Sequence, residues 1–157
     1  MRLRSSSRNT VVDHGPDQVW AVVACGRPGP RWYADAAPFV VRGALDRLLG
    51  GAGRRWPAPD RALLTRGDTV GFWRVVRASG GVLDLEAVVR APGRVTLRTE
   101  VTPDGTGARV TQAVTFHPHG ALGAAYLLAD LPARETVIAL THRRLLRDLR
   151  TAPAPTT

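Results

Sequence analysis

The sequence predicts an α+β fold in which an antiparallel sheet has one face covered by a long C-terminal helix. Three observations carry this. Four segments between residues 69 and 117 alternate apolar and polar residues and are separated by short turn signals. The segment from Ala133 to Arg150 has a helical period instead, with Val137, Ile138, Thr141, Leu145 and Leu149 on one side. Two shorter helical segments follow a first strand, so the order is strand, helices, meander, terminal helix.

The first strand is expected from Asn9 to His14. Gly15-Pro16-Asp17 then opens a helix, because proline suits the first turn and an acid suits the helix's positive end. Val19, Trp20, Val22 and Val23 give it an apolar side, and Gly26 ends it. A second helical segment spans Trp32 to Leu49, started or interrupted by Pro38. In it Val41, Leu45, Leu48 and Leu49 recur at helical spacing and are expected to be its buried face. Residues 54 to 66 read as a long loop. The strand candidates are Thr69–Ala78, Val82–Arg90, Arg94–Val101 and Ala108–His117, and the turns between them imply an antiparallel meander. Pro132 is expected to break or kink the last helical region.

Length and composition bound the rest. A chain of 157 residues suits one domain spanning residues 1–157, with about 1–8 and 151–157 as flexible tails, and can bury a core with room for a pocket. One cysteine, Cys25, excludes an internal disulfide, fits a cytoplasmic setting, and is expected to be a small buried side chain. The basic N-terminus has no apolar core behind it, and no apolar run reaches bilayer length, so neither a signal peptide nor a membrane partner is expected. The net charge is +9, yet all 22 basic residues are arginines, mostly scattered, without an aromatic-studded basic strand. That pattern argues against nucleic-acid binding.

A string of residues adds a resemblance. Trp32-Tyr33, Arg42-Gly43 with Asp46 and Leu48, Gly50-Gly51-Ala52-Gly53 before Arg54-Arg55, Gly67-Asp68 and Phe72-Trp73-Arg74-Val75 stand in order. Pro92-Gly93-Arg94, Thr111-Gln112, Phe116 with Pro118, Gly120, Gly123 and Tyr126 follow. Their order and spacing resemble the START-like superfamily (the birch-pollen-allergen fold, or SRPBCC), and within it a bacterial family of unknown function, number 2867, often fused to an NAD(P)-binding domain. The resemblance implies a helix-grip fold, with a sheet wrapped around the terminal helix and a largely apolar cavity for a hydrophobic small molecule. It also implies either a cyclase- or aromatase-like role in specialised metabolism or a non-catalytic carrier or sensor. Gly71, Val88, Thr96, Leu127, Leu128 and Ala133-Arg134 depart from the family pattern. No Gly-x-Gly-x-x-Gly fingerprint is present, and no cofactor is expected.

Alternation sorts the strands into faces. Leu83, Leu85, Ala87 and Val89, then Val95, Leu97, Thr99 and Val101, then Val110, Gln112, Val114 and Phe116 form the inner set. The first meander strand divides Val70, Phe72, Arg74 and Val76 from Gly71, Trp73, Val75 and Arg77, and the first set is the more apolar. An inward Arg74 would need a carboxylate, carbonyls or an anionic ligand. The expected polar end of the pocket is therefore Arg74 with Gln112, the alternative being an architectural pair of Arg74 with Asp46 or Asp68. Arg74, Tyr126 and Tyr33 are the candidate catalytic residues. Gln112, Trp73, Phe72, Thr99, Phe116, Trp32 and Asp46 are the candidate ligand contacts. His117-x-His119 has a metal-ligand spacing, but Pro118 interrupts the strand, and no metal site is expected. A homodimer stays open.

Overall fold

The alternating segments build one six-stranded antiparallel sheet, in a computed structural model that describes residues 5–89 and 93–152, with the backbone alone for 121–131. Its strands are β1 (Ser5–Val12), β4 (Thr69–Val70), β5 (Trp73–Ser79), β6 (Val82–Ala87), β7 (Gly93–Asp104) and β8 (Gly107–Pro118). They lie in the order β1-β8-β7-β6-β5-β4. A separate two-stranded ribbon joins β2 (Cys25–Gly26) to β3 (Arg61–Leu63). The helices are α1 (Pro16–Val23), α2 (Trp32–Asp35), α3 (Ala37–Leu48) and α4 (Gly120–Thr151). Ser5 to Arg8, expected in a flexible tail, are strand: they pair with Thr115 to Gln112 of β8.

The inner faces of β6, β7 and β8 follow the alternation. Leu83, Leu85, Leu97, Val101, Val110 and Val114 are buried in one core with Ile138, Leu145 and Leu149 of α4. Outside, Asp84 meets Arg98 at 3.4 Å and Glu86 meets Arg94 at 3.7 Å across neighbouring strands. Such exposed pairs contribute little to stability but keep the outer face polar.

Three expectations need correction. The segment 69–78 is not one strand. The chain reverses at Gly71-Phe72, so Val70 pairs with Trp73 and Thr69 with Arg74. Gly71 has φ 61°, a left-handed conformation that costs glycine little, and its backbone bridges to Trp56. The reversal resets the alternation: Trp73 and Val75 point inward, and Arg74 is exposed. Second, of the break or kink expected at Pro132, the break does not occur. Helix α4 runs through it, and the Thr136 hydroxyl donates to the Pro132 carbonyl at 3.0 Å.

Third, α3 is turned about its axis relative to expectation. Its buried residues are Phe39, Gly43 and Asp46, while Val41, Leu45, Leu48 and Leu49 are exposed. Asp46 explains the orientation. Its carboxylate accepts the Gly53 N–H at 2.8 Å, and its backbone carbonyl accepts the Gly51 N–H at 2.7 Å. Gly51 lies so close that any Cβ there would overlap the carboxylate. Arg54, next in the chain, donates to the Ala34 carbonyl at 2.7 Å and pairs with Asp35 at 3.2 Å. The string from Gly43 to Arg54 is thus a clasp fastening the end of α3 to α2.

Asp46→Ala strands the Gly53 donor and should cost roughly 1.5–3 kcal/mol. A melting-temperature fall of roughly 4–10 °C is expected for a domain of this size. Asp46→Asn, which keeps an acceptor oxygen, should recover at least half of that loss in the same thermal melt.

Candidate functional site

A cavity of about 140 Å³ lies between the inner sheet face, α3 and α4. One end is aromatic. Phe39 of α3 meets Trp73 edge-on at 5.3 Å and Phe72 at 5.7 Å, and Phe116 adds a wall from β8. The Trp73 indole N–H donates to the Tyr33 carbonyl at 2.6 Å, which fixes the ring and keeps its polar atom satisfied. Val95, Leu97 and Val114 form the floor, with Val137 and Ile138 of α4 opposite.

Among the described residues, three polar side chains enter this lining: Arg42, Arg134 and Thr141. Arg134 is buried, and its Nε donates to Ser6 Oγ at 3.3 Å. Thr141 is wholly buried, and its hydroxyl has no hydrogen-bond partner. A buried hydroxyl left in that state costs about 1–3 kcal/mol. Among the described residues, no carboxylate, imidazole, thiol or phenol lines the cavity.

Beside the cavity a polar chain crosses the core. Gln112 donates from Nε2 to Thr99 Oγ1 at 3.1 Å, and its Oε1 faces His142 Nδ1 at 3.0 Å. His142 Nε2 faces Thr10 Oγ1 at 2.8 Å. The amide orientation makes Gln112 Oε1 an acceptor, so His142 carries its proton on Nδ1 and accepts from the Thr10 hydroxyl. Every group is satisfied with a neutral imidazole. Burial, and secondarily the nearby Arg8 charge, hold the His142 pKa below its ordinary value.

The sequence-selected residues divide. Phe72, Trp73 and Phe116 stand in the cavity wall. Gln112 and Thr99 are buried and inward, as alternation expects, but join the polar chain rather than the lining. Arg74 is corrected outright: it is exposed on the outer face, opposite Glu86 in register, and pairs with neither Asp46 nor Asp68. Tyr33 does not line the cavity. Its hydroxyl donates to the Cys25 carbonyl, and burial raises its pKa far above the ordinary phenol value. Trp32 is core, its indole N–H donating to the Val23 carbonyl at 3.1 Å, and Asp46 belongs to the clasp. The Tyr126 side chain lies outside the described residues. Cys25 is half-exposed rather than buried. Among the described residues no three His, Cys, Asp or Glu side chains gather as a metal-binding set, and His119 stands exposed just ahead of α4.

Thr141 is on the buried side that the helical period indicates, and Arg134 and His142 join it there without having been expected. Arg134 and His142 lie four residues either side of Ile138, which places both on the buried stripe of α4. Their polarity masked a spacing that was readable.

A larger groove of about 1050 Å³ runs between α1, the β2–α2 connection and the end of α4. Every charged or polar side chain in its walls is half-exposed or exposed, and Arg144 there is paired with Asp148 at 3.0 Å. His14 Nδ1 is buried and partnerless in its wall, but the rest of its polar lining faces solvent. The smaller cavity, walled by buried aromatic and aliphatic side chains, is the candidate site.

A sheet packed over one long helix, with a largely apolar cavity between them, is the helix-grip fold. The family of proteins of unknown function designated DUF2867 matches residues 3–140, and the chain belongs to that family. Truncated norcoclaurine synthase from Thalictrum flavum shares the fold at a TM-score of 0.55 and 10% identity, over 96% of this chain and 95% of that one. A protein from Mesorhizobium loti does so at 0.52 and 13%, over 96% and 100%. One from Rhodobacter sphaeroides matches at 0.52 and 14%, over 94% and 90%. No curated protein matches the sequence. At these identities the solved structures define the fold alone.

Lowering the pH should test the polar chain. The unfolded imidazole takes up its proton near pH 6.5. The folded one, with its lowered pKa, takes it up only at lower pH, so the unfolded state binds more protons in between. Stability should therefore be unaffected by His142 above about pH 7 and fall as the pH drops through 6.5. In urea titrations, His142→Asn should be less stable than wild type at pH 8 and lose less between pH 7 and pH 5. Equal losses in the two proteins would show that His142 is not the group responsible.

Proposed function

We propose that the chain binds a small hydrophobic molecule, about the size of one aromatic ring and bearing one hydrogen-bonding oxygen, and acts as its carrier or sensor. The observation that supports this is the buried, partnerless Thr141 hydroxyl in the wall of a largely apolar cavity, whose other described polar lining is Arg42 and Arg134. An apolar cavity of about 150 Å³ in another protein holds benzene, which sets the scale of a guest that fits here. Aromatic walls would contribute most of the affinity, and the threonine would select for a hydroxyl or carbonyl oxygen.

A cyclase-like role would need an acid or base at the reacting atoms. The described lining offers two guanidiniums, which stay charged at all ordinary pH, and one threonine. Of the residues considered for such chemistry, Arg74 and Tyr33 lie elsewhere, and the Tyr126 side chain is outside the described residues. The binding reading is therefore the better supported.

Phenol and toluene are suitable probes, followed by calorimetry or ligand-observed NMR. Phenol should bind more tightly than toluene, and Thr141→Val should weaken phenol by about fivefold to tenfold while leaving toluene within about twofold, as expected for one neutral hydrogen bond. Ile138→Trp should fill the cavity and remove both. If both probes bind the Ile138→Trp variant as they bind wild type, the site lies elsewhere.

A further inference from the structure

We infer that the outer face of α3 docks the protein onto anionic lipid surfaces. This inference stands apart from what fills the cavity. The helix carries two apolar stripes. One, through Phe39 and Gly43, faces the protein. The other lies on the opposite side and faces solvent: Val41 is 58% exposed, Leu45 47%, Leu48 82% and, at the helix end, Leu49 64%. Val41, Leu45 and Leu48 follow one another at spacings of four and three, so they form a continuous ridge rather than scattered exposed residues. A contiguous exposed apolar ridge of this kind marks a contact surface.

The charges around it indicate what it contacts. From residue 36 to residue 59 the one acid is Asp46, which is buried in the clasp. The basic residues of the same stretch are Arg42, Arg47, Arg54 and Arg55, and of these Arg47 and Arg55 are exposed. Arg47 precedes Leu48 in the chain and lies beside the Gly53 loop, and Arg55 lies over the ring of Trp56, its guanidinium 4.5 Å from the centroid. A second copy of the same face would bring arginines against arginines with no exposed acid in the segment to compensate. An anionic bilayer supplies both missing partners: acyl chains for the leucines and headgroup charge for the arginines. Arginine suits this position because its aliphatic stem can lie along the apolar boundary while its head stays at the phosphate level. The overall charge of +9 favours approach to the same surface.

The geometry also ties this face to the cavity. Pro38, Phe39 and Arg42 of α3 line it from within, so the helix that would rest on the lipid is the helix that walls the pocket.

Vesicle flotation of the full chain tests the inference. Vesicles of phosphatidylcholine with about one-third phosphatidylglycerol should carry the protein at low salt, vesicles of phosphatidylcholine alone should carry at least about tenfold less, and roughly 0.5 M salt should release it. The double variant Leu45→Glu with Leu48→Glu should lose binding by about tenfold or more while keeping the wild-type melting temperature, since both side chains face solvent. Arg47→Glu with Arg55→Glu should lose it comparably. Failure of the wild type to float with anionic vesicles overturns the inference, as does undiminished flotation of the leucine variant. Sedimentation velocity supplies a third reading: a wild-type dimer that Leu48→Glu converts to monomer would assign the face to a second copy instead.

Discussion

The packing of α4 across the inner face of the sheet is the contact from which the rest of the structure takes its positions. A sheet of this kind has one apolar face, and that face must be covered. Ile138, Leu145 and Leu149 cover it at intervals that keep one stripe of the helix against β8 and β1. Arg8 of β1, pairing with Glu135 at 2.8 Å, ties the helix to the sheet edge from outside the core. Once the helix is so placed, the space that its stripe does not fill is the cavity. Thr141 reaches that space because it sits on the same stripe.

The aromatic end of the cavity depends on a second, local constraint. A continuous strand from Thr69 to Ala78 would have sent Phe72 inward and Trp73 outward. The reversal at Gly71-Phe72 lets both side chains reach the interior: Phe72 from the turn and Trp73 from the strand that follows. Two large adjacent rings with centroids 4.7 Å apart can share one wall because the chain bends between two short strands rather than running straight.

Much of this was legible in the residues, for a physical reason. Periodicity reports which face is buried wherever a strand or helix has one apolar side, and β6, β7, β8 and the end of α4 are of that kind. It failed on α3 because that helix is apolar on two sides. The clasp, not hydrophobicity, decides which side turns inward, and its key members are Asp46 and glycines that carry no hydrophobic signal. It failed at Arg74 because a two-residue reversal shifts the phase of every later side chain on the strand. In the site, Phe72, Trp73 and Phe116 were readable from their apolar bulk. Arg134 and His142 were at readable positions but of unexpected chemistry, since burying such groups is costly unless partners on other elements, here β8 and the distant β1, are already in place.

The chain from Thr10 through His142 and Gln112 to Thr99 has a direction. Thr10 donates, His142 and Gln112 each accept and donate in turn, and Thr99 accepts, so the sense runs from β1, through α4, back to β8 and on to β7. Hydrophobic contacts tolerate sliding, because one leucine substitutes well for another. A directed relay does not. Moving α4 by one turn would set Ile138 or Leu146 opposite Gln112 and leave its amide, the Thr10 hydroxyl and the displaced imidazole without counterparts. The four residues thus act as a lock that admits a single seating of the helix. They give a core made largely of interchangeable apolar parts a unique alignment.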